Sequence, residues 1–300
     1  MTALTQLPVA APVPPVEAAP PSRSYWAMVW QRLKRDRMAW ISGAVLVLII
    51  GAALLAPWIS PADPYKGSMI RRLQPIGTTG HLLGTDELGR DMLTRLMHGG
   101  RLSLLMGVVP VLAAFVFGSL IGVFAGYAGG RVNMLIMRSL DVFYAFPSVL
   151  LAVAISGALG SGMSNCLIAL TLVFVPQVVR VAESATTQVR KLDYIEAARM
   201  SGAGALTIIR VHVLGNVLGP VFVYTTGLLS VSMILASGLS FLGLGVKPPE
   251  PEWGLMLNTL RSAIYSNPWV AALPGLFIFA TSIAFNLLAD SVRSAMDIRA

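Results

Sequence analysis

Charge is scarce in this sequence. Asp, Glu, Lys and Arg make up 12% of its 300 residues while apolar residues reach 55%; an ordinary soluble domain carries roughly 25% charged residues. So little charge is hard to reconcile with a surface that faces water. Cysteine is nearly absent: Cys166 stands alone inside an apolar block. That excludes an internal disulfide and leaves too few ligands for a thiolate metal site, so Cys166 reads as a small buried hydrophobe. The three histidines, His81, His98 and His212, lack metal-ligand spacing. No Gly-x-x-x-x-Gly-Lys-Ser/Thr run occurs, so the chain has no phosphate-cradling loop for hydrolysing ATP itself. A His/Asp/Glu cluster at one depth, which a membrane-embedded enzyme needs, is missing as well. The net charge of +8 does not point to nucleic acid, because the basic residues sit in short clusters between apolar blocks rather than on one face with interleaved aromatics.

What the sequence has instead is long stretches without any charge. Residues 38–62, 102–130, 142–179, 211–246 and 262–289 contain no Asp, Glu, Lys or Arg. A helix needs about 20 apolar residues to cross roughly 30 Å of hydrocarbon. Four of these blocks suit one helix each. The block 142–179 is long enough for two, and its glycine-rich centre, Gly157-Ala158-Leu159-Gly160-Ser161-Gly162, reads as a tight turn between them. The expected fold is therefore an all-α polytopic membrane protein with six spans, at about 38–60, 102–127, 133–156, 164–183, 217–242 and 269–289. The first span is too long and begins too late for a cleavable leader, and Pro57-Trp58 stands where small residues would be required. With the N-terminus cytoplasmic, the inner segments hold 14 of the Lys and Arg residues and the outer segments 8. The cluster Arg32-Leu33-Lys34-Arg35-Asp36-Arg37 weighs most in that difference and sets both termini inside.

Between the spans the sequence divides further. Residues 1–23, rich in Pro and Ala, are expected to be a disordered cytoplasmic tail. Residues 24–37 set Tyr25, Trp26 and Trp30 against a basic face and read as an interfacial helix. The transmembrane domain then takes up 38–300, with outer connections at 61–101 and 243–268 and an inner connection at 184–216. That inner loop is the most informative stretch, because a connection of this length invites structure or function of its own. Asp193 is placed to cap a helix whose first turn holds Glu196, and acidic residues suit that end. Gly202 and Gly204 permit a turn, after which a second short helix runs through Arg210. The product is a helix–turn–helix on the membrane surface whose Ala197 and Ala198 offer a flat face to another protein. A plain amphipathic surface linker is the competing reading.

At this loop the residues resemble a known family. Glu196-Ala197-Ala198-x-x-x-Gly202 resembles the EAA motif of permease subunits in bacterial ABC importers, and Tyr194-Ile195-Glu196-Ala197-Ala198-Arg199 is similar to the dipeptide/oligopeptide/nickel branch. The block from His81 through Leu82-Leu83-Gly84-Thr85-Asp86 to Arg95, then Arg101-Leu-Ser-Leu, Gly126 to Gly130, Phe146-Pro147-Ser148, Ser240 to Gly245, Trp253-Gly254 and Phe285 to Asp290 agree in order. Together they resemble the C-type subunit, which normally pairs with a homologous B-type subunit. One departure is Leu214-Gly215-Asn216, where the family usually has Leu-Pro-Asn; glycine can still break the helix there.

The resemblance implies a multi-pass protein of the bacterial inner membrane with the fold of a type I ABC importer permease. It further implies two permease subunits that share a path, two ATPase subunits that use ATP and Mg, and a substrate-binding protein outside; this chain itself would hold no cofactor or metal. Glu196, Ala197, Ala198, Arg199, Gly202 and Gly204 would then form the ATPase-coupling loop, with Glu196 orienting it through hydrogen bonds or an ion pair. Di- and oligopeptides, nickel complexes and glutathione-like compounds are all substrates in such systems. Gln177, Thr225, Thr226, Ser230 and Ser232 are candidates for lining the path. An ion-coupled carrier or a passive channel are the alternatives, although the expected span interiors carry no ionisable group and no filter or charged ring is evident.

Overall fold

The computed structural model describes residues 25–297; the Pro/Ala-rich segment 1–23 lies outside the described residues. Helix α1 (Tyr25–Arg35) is joined to α2 (Arg37–Ile59) through Asp36. The Asp36 carboxylate accepts a hydrogen bond from the Met38 amide at 2.8 Å and so caps α2. Pro57 sits in the last turn of α2 and cannot donate to the Ala53 carbonyl. The Arg101 guanidinium replaces that donor, with Nε to Ala53 O at 2.7 Å and Nη2 to Leu54 O at 2.5 Å.

Arg101 belongs to α3 (Met92–Ala128), whose N-terminus is capped by the Asp91 carboxylate, 2.8 Å from the Thr94 amide. The expected span began at residue 102, but the helix starts ten residues earlier. The turns that carry Arg95, His98 and Arg101 are helical outside the hydrocarbon, where charge is no obstacle and charge-free length is no guide to where a helix begins.

The expected third span, 133–156, is corrected more sharply. It is two helices, α4 (Gly130–Tyr144) and α5 (Ser148–Leu159), bent by 89°. Pro147 causes the break, since a proline disfavours helical backbone at the residue before it and lacks an amide hydrogen. Helix α6 (Met163–Val189) follows, then α7 (Asp193–Met200). Helix α8 (Ala205–Ile208), a wide turn at Ile209–Val213 and α9 (Leu214–Phe241) run on as one apolar helix of 37 residues. The short α10 (Trp253–Thr259) and the long α11 (Pro268–Met296) complete the chain. Five helices are long and apolar enough to cross a membrane, and the bent pair makes six when counted as one span.

Hydrogen bonds fix which ends share a side. Arg190 Nη1 donates to Tyr127 O at 3.0 Å, so α4 begins beside the end of α6. At its far end the α5–α6 turn meets the end of α9, where the Gly162 amide donates to Leu244 O at 3.2 Å. The bent pair therefore runs from one side of the bundle to the other and counts as a crossing. On the side of Leu244, the segments 60–91 and 242–267 are stitched together. Arg95 Nη1 donates to Pro64 O at 2.9 Å and Pro249 O at 3.4 Å, and Tyr65 Oη donates to Glu250 at 3.0 Å. Asp86, buried, pairs with Arg90 at 2.6 Å and Arg95 at 3.1 Å. The block Thr85–Asp91 is thus spent on caps and ion pairs. Glu252 is buried as well and caps α10 through the Gly254 and Leu255 amides. Burial pushes its carboxyl up from the usual range, against those amides and the hydroxyls of Ser240 and Ser103, which hold it down.

The core has two parts. One lies among α3, α5, α6 and α9 around Leu170, Phe174, Val178 and Val217. The other joins α2, the first turns of α3, α10 and α11 around Met92, Leu96, Trp253 and Val270. Helices α3 and α6 pack through small residues at four-residue spacing. Gly118, Gly122 and Gly126 face Val178, Ala182 and Thr186, and a Cβ built on Gly122 would stand 2.6 Å from both the Ala182 methyl and the Val179 carbonyl.

Candidate functional site

On the side of the bundle away from Leu244, the chain leaves α6 at Arg190, forms the short α7 and enters the next spanning helix at Ala205. The inner connection is therefore 190–204, shorter than the expected 184–216, because α6 and α8 extend past the apolar blocks. Helix α7 is pinned there by Ile195, which is fully buried, and by Ala198, half-buried against the core. Three further contacts tie it down. The Arg199 guanidinium lies over the Tyr127 ring at 5.5 Å, the Tyr194 ring meets His212 at 6.0 Å, and Asn216 Nδ2 donates to Tyr194 Oη at 3.2 Å.

The end of α7 explains the spacing of its motif. The Ala203 amide donates to Ala198 O at 3.1 Å and the Gly202 amide to Arg199 O at 2.9 Å. These are the two bonds of a helix terminus that needs a left-handed residue after its last turn. Gly202 supplies it with φ +83°, and Ala198 and Ala203 pack together against the core beneath it. Ala198 and Gly202 are thus four residues apart because one accepts the closing bond and the other turns the chain. Gly204 has an ordinary φ of −67° and precedes α8, so only one of the two glycines makes the turn.

Two details depart from the sequence reading. Asp193 is the first helical residue, after Leu192, and its side chain makes no capping bond; its charge instead lies in the first turn with Glu196, where it meets the positive end of the helix. Glu196 and Ala197 are exposed. Among the described residues no ion pair or hydrogen bond holds the Glu196 carboxylate, so its orienting partner is not found within the chain. The expected break at Gly215 also does not occur. The helix continues through Leu214-Gly215-Asn216, and the irregularity is the wide turn Ile209–Val213 just before it. Glycine still has the amide that proline lacks, so the backbone ladder is kept.

What the sequence reading missed is the apolar pair beside the turn. Met200 is 89% exposed and Leu206 79% exposed, on either side of residues 201–204. A surface of this kind, Met and Leu around an exposed helix end, is what partner proteins bury. Met200 and Leu206 flanking the glycine turn were the available signal.

The candidate path residues are spread out. Gln177 borders a cavity of about 230 Å³ at the break of the bent pair, with Phe143, Tyr144, Phe146 and Ser148. Tyr224 Oη donates to Gln177 Oε1 at 3.3 Å, which links α6 to α9 there. Thr225 and Thr226 turn their hydroxyls back to Val221 O and Val223 O of their own helix. Ser232 is fully buried with a hydroxyl that has no partner among the described residues. Ser230 borders a different, open groove between α9 and α11, with Ser237, Ser282 and Asn286. The five residues do not converge on one chamber within this chain.

Fold and loop together define a class: a polytopic helical permease with a short helix presented to one side. Its fold resembles that of an inward-facing methionine ABC transporter, MetNI, with a TM-score of 0.55 at 19% identity over 68% of this chain and 97% of that one. The chain belongs to the family of binding-protein-dependent transport system inner membrane components, which it matches over residues 118–299. Residues 24–75 match the N-terminal transmembrane domain of oligopeptide transport permease C. Relatives include the di/tripeptide transport system permease protein DppC of Pseudomonas aeruginosa, 43% identical over 89% of this chain and 90% of that one. Another is the glutathione transport system permease protein GsiD of Pectobacterium atrosepticum, 40% identical over 92% and 91%. The chain is therefore a multi-pass protein of the bacterial inner membrane and a transport permease subunit.

Proposed function

We propose that this chain forms half of the membrane path of an ATP-driven importer of small peptides or peptide-like solutes, and that α7 with its turn seats an ATPase subunit. A homologous B-type permease supplies the other half, two ATPase subunits bind ATP and Mg, and a binding protein delivers the solute from outside. The names of the relatives, permeases for di/tripeptides and for glutathione, support the substrate class. A carrier driven by an ion gradient, or a passive channel, gains no support from the family.

One observation carries the coupling role: a short helix fixed to the bundle by Ile195, Ala198 and Arg199 that exposes Glu196, Ala197, Met200 and Leu206 around a tight glycine turn. Ala197 permits close approach, Met200 and Leu206 offer apolar anchors, and the Glu196 carboxylate is left for a partner's cation. Gln177, with Tyr224 behind it, is the polar group best placed to meet solute at the broken span. Motion of the seat biases the permease between inward and outward states, since a ligand shifts a two-state equilibrium by its differential affinity for the states.

The test is reconstitution with the partner subunits and binding protein in liposomes, measuring uptake and ATP hydrolysis for wild type and Gly202→Val. The left-handed backbone costs a β-branched residue more than the roughly 1–2 kcal/mol of an ordinary one, so uptake and solute-stimulated hydrolysis should both be lost while the chain still inserts. Met200→Asp should weaken ATPase binding with α7 intact. Wild-type coupling in both variants would refute the seat.

A further inference from the structure

Helix α1 makes a structure that the transport reading does not use. Its Arg32 Nη1 donates to Asp297 O at 3.1 Å, at the end of α11. The Asp36 carboxylate caps α2 through the Met38 amide, and the Arg32 bond ties the α1–α2 corner to the end of α11. The Trp40 indole N–H donates to Lys34 O at 3.0 Å, which fixes that ring as a wall. Between these elements lies an open groove of about 410 Å³, lined by Trp30, Leu33, Trp40, Gly43, Val47 and Leu288. The lining is almost all carbon, except at its mouth, where Lys34 enters with its ammonium 5.2 Å from the Trp30 ring centre. Gly43 keeps the floor open; a Cβ there would meet nothing within 4 Å.

Charge and depth together select the occupant. Lys34 stands at the mouth of the groove, and Arg32, Arg35 and Arg37 belong to the same α1–α2 corner, Arg32 and Arg35 on a separate surface of α1. The acid of this corner, Asp36, is outnumbered by the four cations, so the corner is net cationic. From the rim the groove runs down α2 by one helical turn, from Gly43 to Val47, into the apolar span. A rigid carbon-lined slot that opens under a basic, tryptophan-bearing edge at the membrane interface fits one molecule with an anionic head and an acyl tail. We propose that this groove is a binding site for an anionic phospholipid of the surrounding bilayer, with its phosphate at Lys34 and one acyl chain along Gly43 and Val47.

The experiment is native mass spectrometry of the full chain, released from detergent after incubation with phosphatidylglycerol or with phosphatidylcholine of the same acyl chains. Wild type should keep phosphatidylglycerol in preference. Lys34→Gln, an exposed-side change that leaves the fold alone, should cut that preference about fivefold, the equivalent of about 1 kcal/mol for one basic residue at an anionic surface. Gly43→Leu should fill the slot and lower retention of both lipids. Arg138→Gln, on an exposed side chain of α4 away from the groove, should change nothing. Equal retention of the two lipids by wild type would overturn the proposal, as would unchanged retention in both groove variants. Loss of bound phosphatidylglycerol on assembly with the partner permease would also overturn it, by showing that protein fills the slot.

Discussion

Arg101 shows how single residues hold this membrane fold. A proline in α2 frees the Ala53 carbonyl, and a guanidinium from the next helix supplies the missing donors at 2.7 Å and 2.5 Å. Ala53 is buried, so an orphaned carbonyl there is costly. Arg101→Ala should lower the stability of the purified chain by about 1–3 kcal/mol, the desolvation cost of an unpaired buried acceptor. Arg101→Lys should recover part of it, because an ammonium cannot span both carbonyls in one plane. Thermal unfolding in detergent reads both; equal stability of the alanine variant and wild type would refute the account. Neither the pairing of Arg101 with Pro57 nor the capping by Asp91 is legible in a sequence without the fold. The turn at Gly202 was legible, since a glycine after a short helical stretch is a local signal.

At the scale of elements, charge-free runs located the hydrocarbon and not the helices. The run 102–130 marks where α3 crosses, but its first turns carry Arg95 into the outer ion network, His98 to Ser60 and Arg101 to the end of α2. The same limit hid the break at Phe146-Pro147, which lies inside an uncharged block; a backbone rule locates it where hydropathy does not. A further signal went unread, the run Gly118, Gly122, Gly126 at four-residue spacing, which lets α3 and α6 touch backbone to backbone. Gly122→Val should separate these helices, since its Cβ would overlap both Ala182 and the Val179 carbonyl. Overpacking of this kind costs about 1–3 kcal/mol or more. Gly130→Ala, at a position with open space but a φ of +52°, should cost less, about 1 kcal/mol of backbone strain. If the two variants unfold at the same temperature, the close contact is not what joins the pair.

For the whole molecule, hydrogen bonds alone put Tyr265 and Met200 on opposite sides of the bundle, and the basic residues add which side is inner. Cys166, fully buried, gives a quiet background for labelling. Tyr265→Cys, at a site 94% exposed, should react with a membrane-impermeant thiol reagent on intact cells. Met200→Cys should react only after the membrane is opened. The reverse pattern would invert the topology. Six crossings were legible because a bilayer demands long uncharged runs, and the loop's short helix and its turn were legible through Glu196 to Gly202. The path was not, since polar residues along a span do not reveal which side chains turn back to their own backbone.

The continuity of α8 and α9 has a mechanical meaning. A helix of 37 residues is a rod about 55 Å long at 1.5 Å per residue, and a tilt of about 5° at one end swings the other by about 5 Å. Its inner tip begins directly after the Gly202 turn, and its outer tip packs beside α10 and the Leu244 contact with the α5–α6 corner. The wide turn at Ile209–Val213 sits near the inner tip, where a fulcrum gives the longest arm. On the proposed role of α7 as an ATPase seat, a small displacement of the short helix below would be read out at the outer tip as a larger one, as by a lever.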